Sequence, residues 1–269
     1  MVYFEVSPPR GARIVPADGA PTTNGVAVAT LTSGMETGGA TVRARALIYG
    51  TLYALGEFGV EFQAGPPDRV IPPAGQPLLL KVGGRTMAIR VQVVDCGGHA
   101  VVANTPVTFT IASAEGLFLP QRTRTHRTGT MGGGWAEALL ESPNQTGSAT
   151  VAATAGDREG TVVVQYIPDV PFEMTLTADP LSIPANGVST STIVAEIRDV
   201  YGNNVADRTA VVFSTDLGRF PSGSSYTAFT LGGRASARLT SSTMPGLAHV
   251  VVLTAGLRRE TYVAFYLES

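Results

Sequence analysis

The sequence holds one cysteine (Cys96), one lysine (Lys81) and three histidines in 269 residues. A single cysteine cannot form an intrachain disulfide, so any core must hold without covalent staples. No stretch approaches the roughly 20 consecutive apolar residues of a membrane-spanning helix, and neither end reads as a secretion or anchoring signal. A role outside the cell would then need targeting sequence elsewhere in the parent protein, and the chain reads as a segment of something longer. Charge is also sparse, at 15% of residues with a formal net charge of −2. That balance gives no general attraction to nucleic acid or to an anionic membrane surface.

Catalytic inventory is equally thin. His99, His126 and His249 are scattered, no HExxH or CxxC spacing occurs, and Cys96 has no repeat-matched histidine. Asp199-Val-Tyr-Gly-Asn203 lacks the spaced acidic positions and distal glutamate of a calcium loop and reads as a hairpin turn. Gly129-Thr-Met-Gly-Gly-Gly134 lacks the Lys-Ser/Thr of a phosphate cradle and leads into a strand, not a helix. No enzymatic activity, cofactor or metal is expected.

What is abundant is Val, Ala and Thr between turns, with 31 Gly and 18 Pro, a mix that favours short strands. Self-similarity then fixes the architecture. Val2-x-Phe4 recurs as Val107-x-Phe109 and Val211-x-Phe213, so the phenylalanines step by 105 and then 104 residues. Each is followed by a glycine (Gly11, Gly116, Gly218) and then by a matching alternation: Val26-Ala-Val-Ala-Thr-Leu31, Trp135-Ala-Glu-Ala-Leu-Leu140 and Arg234-Ala-Ser-Ala-Arg-Leu239. Ile89 to Asp95 with Gly98 matches Ile193 to Asp199 with Gly202, again 104 apart. That period is the length of a whole immunoglobulin-like domain. Alone, Trp135 to Glu141 would favour a helix; its counterparts make it a strand with the Ala, Ala, Leu set inward. Proline clusters at 65–73 and 167–171 mark short, stiff linkers. The expected fold is all-β, tandem immunoglobulin-like β-sandwiches in an extended array. Its units are residues 1–63, an incomplete domain without its first two strands, 64–167 and 168–269.

The third repeat reads Met174-Thr-Leu-Thr-Ala-Asp-Pro-Leu-Ser-Ile-Pro-Ala-Asn-Gly187, then Ile193 to Asn203, then Val211-Val-Phe-Ser-Thr-Asp-Leu-Gly218. Over its whole length it resembles the first group of bacterial Ig-like domains, the repeats of invasin and intimin. The second repeat follows the pattern with departures, Asp95-Cys-Gly-Gly98 standing where the third has Asp199-Val-Tyr-Gly202. The resemblance implies a non-catalytic spacer or stalk of a cell-surface adhesin, with binding carried by a separate tip domain. Two alternatives are a filament subunit assembled by β-strand sharing and a glycan-binding accessory module of a secreted enzyme.

Two local features point to partners. Gln121-Arg-Thr-Arg-Thr-His-Arg127 puts Arg122, Arg124 and His126 on one face of an extended segment beside Arg127, with Trp135 outward on the next strand. This reads as a solvated edge or a small site for an anionic glycan. In the first repeat, Ala27, Ala29 and Leu31 face inward but lack the cover two earlier strands would give, which predicts β-strand addition by a protein partner or neighbouring segment.

Overall fold

The computed structural model describes residues 1–113, 116–119 and 121–267. The first body contains β1 (Val2–Ser7), β2 (Arg13–Val15), β3 (Thr30–Thr32), β4 (Gly38–Ile48) and β5 (Thr51–Phe62). The middle body has β6 (Arg69–Ile71), β7 (Leu78–Lys81), β8 (Thr86–Val94), β9 (Pro106–Ser113), β10 (Leu117–Leu119), β11 (Thr125–Gly129), β12 (Trp135–Glu141), β13 (Gly147–Ala155) and β14 (Arg158–Ile167). The last has β15 (Glu173–Asp179), β16 (Ser182–Pro184), β17 (Thr190–Arg198), β18 (Ala210–Thr215), β19 (Ser225–Phe229), β20 (Arg234–Thr240), β21 (Gly246–Thr254) and β22 (Leu257–Tyr266). Gly132–Gly134 forms a 3-10 turn, and no α-helix occurs among the described residues.

The middle and last bodies are two-sheet sandwiches. In the middle, β10-β12-β8-β6 faces β11-β9-β13-β14-β7; in the last, β15-β17-β20 faces β16-β22-β21-β18-β19. Burial follows the alternation read from the sequence. Ala136, Ala138 and Leu140 are fully buried while Trp135 and Leu139 are exposed. β12 lies antiparallel to β8, with Ala136 opposite Val91 and Ala138 opposite Ile89. Cross-strand pairing and burial thus override the helix preference of Ala, Leu and Glu.

Each sandwich buries one continuous apolar core. At its centre an edge-to-face aromatic pair recurs: Phe109 with Phe118 at 6.2 Å, and Phe213 with Phe220 at 6.1 Å. The glycine that follows Phe109 and Phe213 has a steric cause. A Cβ on Gly116 would run into the Tyr166 hydroxyl, and one on Gly218 would stand 2.5 Å from the Thr240 carbonyl and 2.9 Å from the Phe265 ring.

The first body is built differently. It has the three-stranded sheet β1-β4-β5 and the two-stranded β2-β3, which correspond to β9-β13-β14 and β10-β12. Among the described residues, nothing there corresponds to β6, β7 or β8. Val26–Leu31 was expected to be strand throughout, but β3 begins only at Thr30. With no β8-like neighbour, residues 26–29 have no ladder to join.

Candidate functional site

In a tandem array the geometry that matters is where one sandwich meets the next. Both joints are organised by an aspartate in the turn that follows the third strand of the incoming sandwich, Asp95 after β8 and Asp199 after β17. Oδ1 of Asp95 accepts from the Gly97 and His99 amides, both at 2.9 Å, and Oδ2 accepts from Gly65 in the linker at 2.9 Å. Oδ1 of Asp199 accepts from the Tyr201 and Asn203 amides, both at 2.9 Å, and Oδ2 accepts from Asp169 in its linker at 3.1 Å. Every donor pair is 104 residues apart. Both carboxylates are buried, at 5% and 2% exposure, a position tolerable only with full hydrogen bonding. Burial, the largest influence on Asp95, pushes its carboxyl up; the three amides and the His99 imidazole outweigh it and hold the group below its ordinary value.

The second joint carries further ties. Lys81 Nζ in β7 donates to Asp169 Oδ1 in the linker at 3.0 Å, and Arg85 stands 3.9 Å from the same carboxylate. The Lys81 hydrogen bond leads the causes that lower the Asp169 carboxyl, followed by the Val170 amide, with burial opposing them. Asn203 bridges the bodies: its Nδ2 donates to the Asn144 carbonyl at 2.8 Å, and its Oδ1 accepts from the Thr146 amide at 3.1 Å. The Tyr201 ring lies against the Gly83 backbone, where any Cβ would collide with it. At the first joint His99 takes the place of Asn203, with Nδ1 3.4 Å from Asp95 Oδ1, and Gly97 packs against the Met35 carbonyl.

The residues singled out in the middle repeat do not form one patch. Arg122 sits in a turn with φ +53, and the strand starts only at Thr125, so Arg122, Arg124 and His126 do not share one extended face. Arg122 pairs with Glu141 at 2.9 Å, and Arg124 donates to the Ile111 carbonyl at 3.1 Å. His126 leans on the Phe118 ring with centroids 6.2 Å apart, and Arg127 is exposed. Trp135 opens β12 and Glu141 closes it, which separates Trp135 from the Arg122 pair by about 20 Å along the strand. Trp135 is 42% exposed and borders Met131 and Arg90, the latter paired with Glu137.

In the first body Ala27, Ala29 and Leu31 are half-buried between exposed Val26, Val28 and Thr30, and of the three only Leu31 lies in a strand, opposite Ile14. Sequence reading identified Asp199 as a turn former but missed its bond to the linker. The signal was available, because the 104-residue period places Asp95 and Asp199, and Gly65 and Asp169, in register.

The profile of the family described as invasin domain 3 matches residues 171–267. No curated protein sequence matches the chain. Among solved structures, the Escherichia coli adhesin FdeC is similar over 98% of this chain and 85% of its own, at 16% identity and a TM-score of 0.60. InvD of Yersinia pseudotuberculosis is similar over 74% of this chain and 57% of its own, at 18% identity and a TM-score of 0.53. The bacterial integrin-binding protein invasin is 26% identical over 74% of this chain and 38% of its own, with a TM-score of 0.39. The last sandwich thus matches the invasin domain 3 family over residues 171–267, and the chain has the fold of tandem immunoglobulin-like sandwiches.

Proposed function

We propose that this chain is a structural spacer of a bacterial surface adhesin, acting by holding successive sandwiches in a fixed relation. The observation that carries the reading is the repeated aspartate brace, which ties linker to turn by the same three bonds at both joints. A flexible tether needs no such bonds. Linker and turn amides that would otherwise be free to rotate are anchored on buried carboxylates, and at the second joint Asn203, Tyr201 and Lys81 add contacts across the boundary. The reading assigns no catalytic step to the chain, and it gives Arg122 and Arg124 a structural role, since both guanidiniums are engaged within the sandwich.

The test is relative domain motion in solution. Residual dipolar couplings should give the middle and last sandwiches a common alignment tensor, and Asp199→Ala should split it into two. Independent tumbling of the two sandwiches in the unaltered chain would defeat the reading.

A second reading, assembly by β-strand sharing, is favoured by the open face of the first body. There Tyr53 and Phe58 of β5, which lie opposite Ala46 and Val42 of β4, are both more than half exposed, an arrangement that leaves apolar surface for another strand to cover.

A further inference from the structure

We infer that the open face of residues 1–62 is a receptor for a strand segment with the pattern of residues 65–94. In this complex a β8-like strand pairs with the free edge of β3, and a β7-like strand lies parallel along β5. The inference deepens the strand-sharing reading and rests on it.

The internal repeat supplies the template. Phe58 and Val162 occupy the same position, since Val42 faces Phe58 and Val151 faces Val162 in matching hairpins. Phe58 is 60% exposed, whereas Val162 is fully buried. Leu31 is half-buried and pairs on one side only, with Ile14. Its counterpart Leu140 is fully buried between Phe118 of β10 and Met87 of β8. The glycines record the same difference. A Cβ on Gly160 would stand 2.6 Å from the Val70 carbonyl, because β6 crosses directly over it, while Gly56 has nothing within 4 Å.

The covered sandwiches also define the register of the occupant. β7 runs parallel to β14 with Leu78 beside Val164 and Leu80 beside Tyr166, so the equivalent leucines fall beside the half-buried Val60 and the already buried Phe62 of β5. β16 lies along β22 in the same way, so the parallel strand is a property of the fold and not of one repeat. The β8-like strand must present apolar residues at every second position, as Ile89, Val91 and Val93 do, to bury Leu31 and the inner face of β4. The chain's own β8 and β17 are already engaged, because Ile89, Val91, Ile193 and Ile197 are fully buried in their own cores. A second folded copy would have to open its middle sandwich to donate them. The occupant is therefore a separate strand segment of immunoglobulin-like pattern.

The experiment compares the full chain with a fusion that places a second copy of residues 65–106 directly before Val2. A control fusion carries Ile89→Ser, Val91→Ser and Val93→Ser in the added copy. Amide exchange in β4 and β5 should slow at least about tenfold in the fusion and remain fast in the control. Unchanged exchange in the fusion overturns the assignment of the occupant. If sedimentation then shows concentration-dependent assembly that protects β5, strand sharing survives with a second copy as occupant; if β5 stays unprotected at every concentration, both readings fail. Protection of β5 equal to that of β14 in the unfused monomer also overturns the inference, since the face would need no cover.

Discussion

His99 Nδ1 stands 3.4 Å from Asp95 Oδ1, at the position where the next joint places the Asn203 amide 3.2 Å from Asp199 Oδ1. The two joints thus share a brace and differ in its fourth partner. Asn203 reaches both its aspartate and the Asn144 carbonyl of the preceding sandwich, whereas His99 Nδ1 is buried without a hydrogen bond among the described residues. Replacing His99 with Asn should therefore tighten the first joint. The expected gain is up to about 1 kcal/mol, read as slower exchange of the Gly65 amide.

Acid should loosen both joints. The carboxyls of Asp95 and Asp169 are held below their ordinary value in the folded chain. A group lowered in this way favours the folded state above its ordinary value and withdraws that contribution as pH falls through the lowered one. The Asp95 brace and the Lys81–Asp169 tie should be intact at about pH 5 and above and fail progressively below about pH 4. Exchange of Gly65, corrected for its intrinsic pH dependence, should accelerate in that window and not above it.

Asp199→Ala should cost more than an average turn substitution. It strips the acceptor from the part-buried Tyr201, Asn203 and Asp169 amides together, and each lost hydrogen bond costs about 0.5–1.5 kcal/mol where water can replace the acceptor. Calorimetry should show the last sandwich melting several degrees lower. Asp199→Asn keeps one acceptor oxygen and should recover part of the loss. Equal stability of all three chains would remove the brace from any account of the joint.

The glycine pair gives a cleaner contrast. Gly160→Ala forces a methyl group against the Val70 backbone and should destabilise the middle sandwich by about 1–3 kcal/mol. Gly56→Ala meets open space and should be neutral, or slightly stabilising from the strand preference of Ala over Gly. Urea titrations of the two variants provide the comparison.

Much of this fold was legible from spacing. The Phe109 and Phe213 repeat and the inward Ala136, Ala138 and Leu140 follow from a period of 104 to 105 and an alternation of two. What escaped was long-range pairing between residues of ordinary appearance. Lys81 and Asp169 are 88 apart, and no local pattern links them. The basic run failed as a patch because alternation assumes a continuous strand, and the left-handed backbone at Arg122 turns the chain before β11 begins. Residues 26–29 show the converse limit: the pattern of a strand is present, but a strand also needs a neighbour.

The parallel strand along each closed sandwich bears on how tension passes through the chain. β7 lies near the entry to the middle sandwich and β14 is its exit; β16 and β22 stand in the same relation in the last. Pulling the ends of the chain drags each pair in opposite directions along their common axis, so the hydrogen bonds between them are loaded together in shear. An antiparallel hairpin pulled at its open end would instead unzip, its bonds breaking in succession. Each closed sandwich is in this sense a mechanical clamp, and β5, with no strand along its outer edge among the described residues, is a link where the clamp has yet to be shut.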